Sequence, residues 1–509
     1  MSQATPANPV DPAYIASKTD ERTWMGHPTG LFVLFSTELW ERFSFYSMRA
    51  FLVLYMTKAL LVTKQAGNEI YGGYLAFVYA APFVGGMLAD RLLGQRRSIM
   101  IGGLLMALAQ FALGTHALLL QDAGGVQSDG LSAMFFLALG LMAAGNGFFK
   151  PNISSIVGSL YSRGDGRRDS AFTIFYMGIN IGALAAGFSG EAAEKQGWHW
   201  GFFIAGVGMI LGLIIFKLGS GRLQGQGHPP RPGALGERGM LGLPNFLTLA
   251  LGVILLIPVM AFLIAHPTYT QYLAIIVAAP VLAYLFWEAF RSEAEERDRM
   301  IVLIILCCFS ILFWAFFELA GSAVNLFTDE HVDRRIPWYG EISASFLTAS
   351  TNPLFIVILA APFAWLWVWL NKRRMEPSSP LKFALGLLQL GAGFFVLYFG
   401  ALSAGTTGKC NIAYLVLGFL LHTMGELCLS PVGLSTMSKL APVQMASTVM
   451  GVWFLASALG NVLGGYVGGK VEDYGYDTVF FGIAVVTCIS AVLLVAVSGP
   501  LKRMMHGVK

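Results

Sequence analysis

Residues 38–49 read ELWERFSFYSMR and lie between GLFVLFST (30–37) and AFLVLYM (50–56). Two acids and two arginines thus fall within one otherwise apolar run. Glu38, Glu41, Arg42, Phe45 and Arg49 recur at helical spacing and share one stripe, with Tyr46 at its margin; Leu39, Phe43 and Ala50 lie opposite. An unpaired ionised side chain in hydrocarbon costs about 2.5–3.5 kcal/mol on insertion scales. The stripe must therefore face a partner helix or a wet cavity. A structural ion pair is the plain reading of any one of these groups. Four ionisable groups and an aromatic on a single face favour a functional one.

The rest of the chain supplies the setting. Its 509 residues are 56% hydrophobic and 12% charged, where soluble domains carry about 25% charge, and the mean hydropathy is +0.64. Long unbroken apolar segments fit an all-α polytopic membrane protein and not a membrane barrel. A span needs about 20 apolar residues. Fourteen candidates follow: 28–61, 69–92, 98–120, 131–160, 170–190, 199–219, 244–265, 271–290, 300–328, 338–371, 381–403, 411–440, 443–470 and 476–500. The five cysteines show no metal or disulfide spacing. Residues 1–27 are polar, lack the features of a secretion signal, and read as a mobile cytoplasmic tail.

Lysine and arginine placement orients the chain. With the N-terminus inside, the inner loops hold RLLGQRR (91–97), SRGDGRR (162–168), Arg222, Arg231, Arg238, Arg291, Arg297, Arg299, Lys372–Arg374 and the final LKRMMHGVK. Far fewer basic residues fall outside, so both termini are expected in the cytoplasm. The Gly- and Pro-rich stretch around 220–243 reads as a flexible cytoplasmic linker. The expected organisation is a tail (1–27), a six-helix bundle (28–219), the linker (220–243), an inserted helix pair (244–291), a second six-helix bundle (300–502) and a tail (503–509). Two similar bundles around a midplane cavity are a common transporter plan.

Deep charges occur in both halves. Lys150 lies in GNGFFKPN, Glu318 in FWAFFELAGS and Glu426 in HTMGELCLSP. Counting about 1.5 Å per residue puts Arg49 and Glu318 in the outer half, where they can meet across the bundles as a gate. Lys150 and Glu426 fall deeper and can face each other. GGMLADRLLGQRR (85–97), with Asp90 and Arg91 at a helix end, reads as a latch between helix ends.

These stretches resemble a known family. Glu38-x-x-Glu41-Arg42-Phe43 followed by Phe45-Tyr46 resembles the E-x-x-E-R-F-x-Y-Y signature of proton-dependent oligopeptide transporters, the POT or PTR family. FTIFYMGINIGAL (172–184), FFKPNISSIVGSLY, FWAFFELAGSAVNLF, TNPLFIVILAAPFAWLW and MGELCLSPVGLSTMSKLAP are similar to further family segments, and 85–97 resembles a loop motif of the wider major facilitator superfamily. The resemblance implies the major facilitator fold: two six-helix bundles plus two inserted helices, fourteen transmembrane helices in all. It implies symport of di- and tripeptides with protons by alternating access, with the inserted pair pointing to the bacterial branch and the inner membrane. Carried over by position, Glu38, Glu41, Arg42 and Glu318 are implied in proton coupling, and Arg49 with Glu318 in the gate. Arg42 and Lys150 would meet the peptide carboxylate and Glu426 its amine. Tyr46, Tyr79, Asn180, Trp314, Asn325, Asn352, Ser430 and Trp453 would line the site. Three departures stand out: Phe45 replaces a tyrosine, Ser47 a glycine, and Gly72 the histidine of mammalian members. Proton handling should then fall on carboxylates.

The residues agree with that chemistry. A short peptide is a zwitterion whose charged ends lie a backbone length apart, roughly 3.5 Å per residue, and needs a cation and an anion on opposite walls. A peptide carboxylate that competes for Arg42 would loosen the Glu41–Arg42 pair and favour proton uptake by Glu41. Expected partners are peptides, protons and the lipid bilayer, with no nucleic acid, no cofactor and no metal, in a monomer. A carrier of another anion such as nitrate is the alternative within the class. A membrane enzyme or sensor is the alternative outside it, without H-E-x-x-H, a phosphate loop or a signalling domain to support it.

Overall fold

The computed structural model describes residues 22–162, 165–231, 233–239, 242–442 and 445–507. Residues 1–21 of the expected first tail and 508–509 of the last lie outside the described residues. Six long helices come first: α1 (Thr29–Lys58), α2 (Lys64–Leu88), α3 (Gln95–Asp122), α4 (Asp129–Ser159), α5 (Arg168–Gln196) and α6 (Trp198–Gly219). After the linker come α7 (Asn245–Ala265) and α8 (Pro267–Arg291). The second bundle holds α9 (Ala294–Phe317), α10 (Ala323–His331), α11 (Ala344–Lys372), α12 (Ser379–Thr407), α13 (Ile412–Leu440), α14 (Ala446–Gly469) and α15 (Val471–Met504).

Local sequence sets many of the ends. Thr63, Ser128, Ser343 and Asn411 each accept a backbone N–H from the first turn of α2, α4, α11 and α13. Pro267 begins α8 where its missing N–H costs nothing. Gly197 alone joins α5 to α6, at φ +129°, a value that favours glycine. Thirteen helical segments among the described residues are long and apolar enough to cross a bilayer. The broken pair α9–α10 counts as one of them. The charge-bearing α1, 30 residues long, makes the fourteenth span.

Within the first bundle α1 packs on α5 and α6, α3 on α4 and α6, and α2 on α4; within the second α12 packs on α13 and α15, and α9 on α14. The bundles meet along α2–α14 and α5–α11. In lipid no hydrophobic force drives helices together, so close approach of small residues matters. A β carbon at Gly187 would stand 2.1 Å from the Ser350 hydroxyl, and one at Gly190 2.5 Å from Ser345 Cβ. The inserted helices sit outside: α7 against α4, and α8 against α9 and α14, with little contact between the two.

The end of the molecule away from the linker is tied shut. Lys58 pairs with Asp329 and Lys64 with Glu330, each at 2.7 Å. Glu194 of α5 accepts the Ser345 and Ala344 N–H groups at 2.8 and 3.3 Å, and Glu191 accepts that of Ser343 at 2.8 Å. Two carboxylates of one bundle thus satisfy the open N-terminus of a helix in the other. On the linker side, Tyr176 on α5 and Phe454 on α14 are 43% and 37% exposed, each about two turns from its helix start. The space between the bundles opens there.

Three sequence expectations change here. The apolar run 300–328 is not one continuous helix: α9 stops at Phe317, Glu318–Gly321 form a 3₁₀ turn, and α10 restarts at Ala323. The run 338–371 enters the helix only at Ala344, after the hairpin of Arg335–Ile336 with Gly340–Glu341. The linker, expected to be free, docks on the first bundle. The Arg96 N–H donates to the Gly227 carbonyl at 2.9 Å, and a β carbon at Gly94 would collide with His228 and Pro229.

The start of the described chain is docked as well. Residues Thr23–Trp24 pair with His27–Pro28, His27 bonds the Tyr161 hydroxyl at 2.8 Å, and Arg167 donates to the Gly26 carbonyl at 2.9 Å. Side-chain hydrogen bonds from Arg167 hold the Asp165 carboxyl down to about 2. A depressed carboxylate keeps its partner until pH falls through that value, so the Asp165–Arg167 pair stays ionised around neutrality.

Gly72, where mammalian relatives were expected to carry histidine, is enforced by packing. A β carbon would stand 2.4 Å from the Asn461 carbonyl oxygen and 2.9 Å from Gly465 Cα. Gly72→His is expected to wedge α2 from α14 rather than supply a proton carrier. Overpacking costs about 1–3 kcal/mol, and even Gly72→Ala should lower the thermal midpoint of the purified protein. An unchanged midpoint with full transport would refute the close approach.

Candidate functional site

Between the bundles lies a cavity of about 390 Å³, lined by α1, α2, α4 and α5 from one side and α9, α11, α13 and α14 from the other, with the 3₁₀ turn. Twelve of the residues named from sequence line it: Arg42, Tyr46, Arg49, Tyr79, Lys150, Asn180, Trp314, Glu318, Asn352, Glu426, Ser430 and Trp453. The stripe on α1 only partly matches its expected faces: Ala50, expected opposite, lines the cavity beside Tyr46 and Arg49, while Phe45, Glu38 and Glu41 do not reach the lining. It turns Arg42, Tyr46 and Arg49 toward the cavity while Leu39 and Phe43 face away.

Glu38 and Glu41 stand one layer behind. Glu41 is wholly buried and accepts two hydrogen bonds from Arg42: one from Nε, the other from Nη2 at 2.6 Å. Glu38 Oε1 lies 3.3 Å from Arg42 Nε, while its Oε2 has no hydrogen-bond partner among the described residues. Asn146, unremarked in the sequence although it lies in the quoted GNGFFKPN, donates to Glu41 Oε1 at 3.4 Å. The Arg42 guanidinium also sits 5.3 Å over the Phe45 ring and 6.0 Å over Tyr46. Phe45 thus keeps the ring and loses only the hydroxyl.

Above this layer Arg49 Nη2 pairs with Glu318 Oε2, the inter-bundle contact that depth alone suggested. Arg49 Nε donates to the Tyr71 hydroxyl at 2.7 Å, and the Tyr79 hydroxyl donates to Glu318 Oε1 at 3.0 Å. Tyr71, in NEIYGGY, was missed because its spacing ties it to none of the deep charges. Gly321 makes room for it: a β carbon there would stand 1.9 Å from the Tyr71 oxygen. The helix break places Glu318 at the start of the 3₁₀ turn, its backbone N–H still donating to the Trp314 carbonyl of α9.

The lower pair differs from expectation. Among the described residues Lys150 has no carboxylate within ion-pair distance; its Nζ rests 5.0 Å over the Tyr79 ring. Glu426 is held instead by the Asn352 amide at 2.9 Å, and that same amide donates to Thr423 Oγ1 at 3.0 Å. Lys150 and Glu426 therefore line one chamber as a cation and an anion without ion-pair partners among the described residues. Asn325 is the residue that does not fit. It is fully buried outside the cavity lining, and its Nδ2 donates to the Ala50 carbonyl at 2.6 Å, stapling α10 to α1. Among the described residues no cluster of His, Cys, Asp and Glu could hold a metal ion.

A family model described as the POT family matches residues 96–476. The chain is 36% identical to "Peptide transporter YePEPT" of Yersinia enterocolitica subsp. palearctica, over 95% of this chain and 96% of that one. It is 34% identical to a "Di-/tripeptide transporter" of Lactococcus lactis subsp. cremoris, over 96% and 99%. Among solved structures it resembles "peptide transporter POT in complex with sulfate" (TM-score 0.84, 35% identity, covering 98% of this chain and 100% of that one). It also resembles "a POT family transporter in complex with 5-aminolevulinic acid" (TM-score 0.81, 28% identity, 95% and 99%).

Proposed function

This chain belongs to the POT family, and from that premise we propose that it is a proton-coupled symporter of di- and tripeptides working by alternating access in a bacterial inner membrane. The family is one of transporters, which sets aside the membrane-enzyme and sensor readings. The single observation that carries the substrate class is the unpaired Lys150 across the chamber from Glu426. A zwitterion that spans them satisfies both at once. A neutral solute would satisfy neither, and nitrate only one. The relative bound to 5-aminolevulinic acid holds a ligand that also carries an amine and a carboxylate.

Peptide, proton and bundle motion then connect through side chains already in contact. The peptide carboxylate enters between Arg42 and Lys150, and its amine reaches Glu426. Drawn toward the carboxylate, Arg42 gives up Glu41, and a proton takes its place on that carboxylate. The Arg49–Glu318 pair, closed here, acts as the gate on the side away from the linker, while the linker side stands open for release. Both termini and the linker lie in the cytoplasm on this reading, and the protein acts as a monomer. The working units are the bundles 28–219 and 300–502, with the inserted pair 244–291 outside the path.

Proteoliposome uptake of a labelled dipeptide tests the proposal. Unlabelled dipeptides should compete and nitrate should not; the reverse pattern would make it an anion carrier. Glu426→Gln should weaken affinity for dipeptides with a free amine about 30-fold, the effect of about 2 kcal/mol for losing one partner of a buried charge pair. The N-acetylated dipeptide should bind wild type and variant alike. Equal loss for both ligands in competition binding would detach Glu426 from the amine.

A further inference from the structure

An apolar cleft of about 410 Å³ opens between α2, α4 and α7, and shares no lining residue with the charged chamber. Three glycines shape it in two different ways. Gly85 and Gly147 are required by packing: a β carbon at Gly85 would stand 2.0 Å from the Gly147 carbonyl oxygen, and one at Gly147 2.7 Å from Ala81 Cβ. Gly252, in the middle of α7, is different. A β carbon there would meet no protein atom within 4 Å. Glycine weakens a helix interior, and no neighbour compels it here. It leaves a notch that the protein does not fill.

We propose that this cleft holds one acyl chain of an anionic phospholipid from the linker-side leaflet. The cleft runs along α7 from Asn245 to Met260, about 22 Å of helix rise, against a bilayer core about 30 Å thick. One leaflet takes up about half of that core, so a chain entering beside Asn245 lies along the cleft through the depth of its leaflet. A polar occupant would find no partner. Asn245 and Thr248 are the polar side chains in the lining, both near the α7 start, and each donates to a backbone carbonyl, of Ala234 and Pro244. The headgroup is identified by charge. Arg91 adjoins the lining residue Leu92, and Arg238 pairs through its backbone with Pro244, next to Asn245. Both arginines are exposed, and among the described residues neither has a carboxylate within ion-pair distance. A seated chain would brace α2 against α4, the helices that carry Tyr79 and Lys150, and would tie α7 to the first bundle. The inserted helix thereby gains a role outside the substrate path. The inference rests on the membrane fold and stands whatever the chamber carries.

Native mass spectrometry of the purified full chain with phosphatidylglycerol or phosphatidylethanolamine tests it. The wild type should retain a discrete phosphatidylglycerol adduct, preferred roughly 30-fold over phosphatidylethanolamine, about fivefold for each cation near the headgroup. Gly252→Phe should lose that adduct. Gly482→Phe should keep it, since Gly482 on α15 also has open space around its β carbon but lies away from the cleft. The Arg91→Ala/Arg238→Ala double variant should keep a lipid and lose the preference. Phosphatidylglycerol with a photoreactive chain end should label residues 245–260 in the unmutated protein, a readout that needs no variant to fold. Adducts unchanged in Gly252→Phe, or labelling spread evenly over the lipid-facing helices, would overturn the site. Equal retention of both lipids would overturn the headgroup assignment.

Discussion

Glu41→Gln is expected to abolish proton-driven accumulation of dipeptide while leaving peptide counterflow intact. Glutamine keeps the shape of the side chain and its place beside Asn146, but it has no charge to gain or lose. Arg42 retains Glu38 at 3.3 Å, so the variant does not leave a buried guanidinium without a counterion. The loss should therefore fall on coupling and not on folding. One proton moving inward through 100 mV contributes about 2.3 kcal/mol, enough for roughly 50-fold accumulation at equilibrium. In proteoliposomes with an imposed gradient the wild type should approach that ratio and the variant should only equalise. Counterflow of labelled against unlabelled dipeptide, without any gradient, should run in both. Undiminished accumulation in Glu41→Gln would move the coupling carboxylate elsewhere. Glu38, whose second oxygen has no hydrogen-bond partner among the described residues, would be next in line.

Glu318→Ala is expected to unlock the side away from the linker. The carboxylate receives Arg49 on one oxygen and the Tyr79 hydroxyl on the other. Its removal leaves a largely buried guanidinium with the Tyr71 hydroxyl and the Tyr46 ring beside it but no carboxylate partner among the described residues. Breaking one side of a buried pair costs about 3–5 kcal/mol, which against a two-state balance is a shift of roughly 150- to 5,000-fold. Spin labels on the facing ends of α1 and α10 should then report a longer distance in the variant than in the wild type. Peptide should still bind, since Lys150, Asn352 and Glu426 are untouched, but gradient-driven uptake should fall with the lost closure. A distance distribution identical to wild type would reduce the pair to a structural tie.

Much of this was legible in the sequence, for one reason. Charge inside hydrocarbon is costly enough that every deep ionisable residue must be explained, and the spacing of Glu38, Glu41, Arg42 and Arg49 already put them on one stripe. Composition gave the fourteen spans, and depth counting brought Arg49 to Glu318 across the bundles. What failed was geometry that hydropathy does not encode. FWAFFELAGSAVNLF carries Glu318, Gly321, Ser322 and Asn325 within a run whose average hydropathy still reads as one span, so hydropathy alone does not mark the break after Phe317. Past that break the chain takes a tighter turn, and Ser322 has non-helical angles (φ −130°, ψ −97°). The face of α10 is therefore rotated from where an unbroken helix would carry it, and Asn325 ends against α1 instead of in the chamber. Lys150 and Glu426 were placed at the right depth, but depth does not say that Asn352 would hold the carboxylate in place. The linker misled for a related reason: glycine and proline mark departure from helix, not absence of docking, and Gly94 is shaped to receive it.

The partners in the lower ion pair are consecutive residues of one helix. Side-chain rotation could part Glu41 from Arg42 without displacing one bundle against the other. The lock at Arg49 and Glu318 joins separate bundles and yields only with their collective displacement, slower by orders of magnitude. On the proposed mechanism, protonation would be a local event that sets the fraction of molecules competent to switch, and turnover would inherit its clock from the rigid-body step.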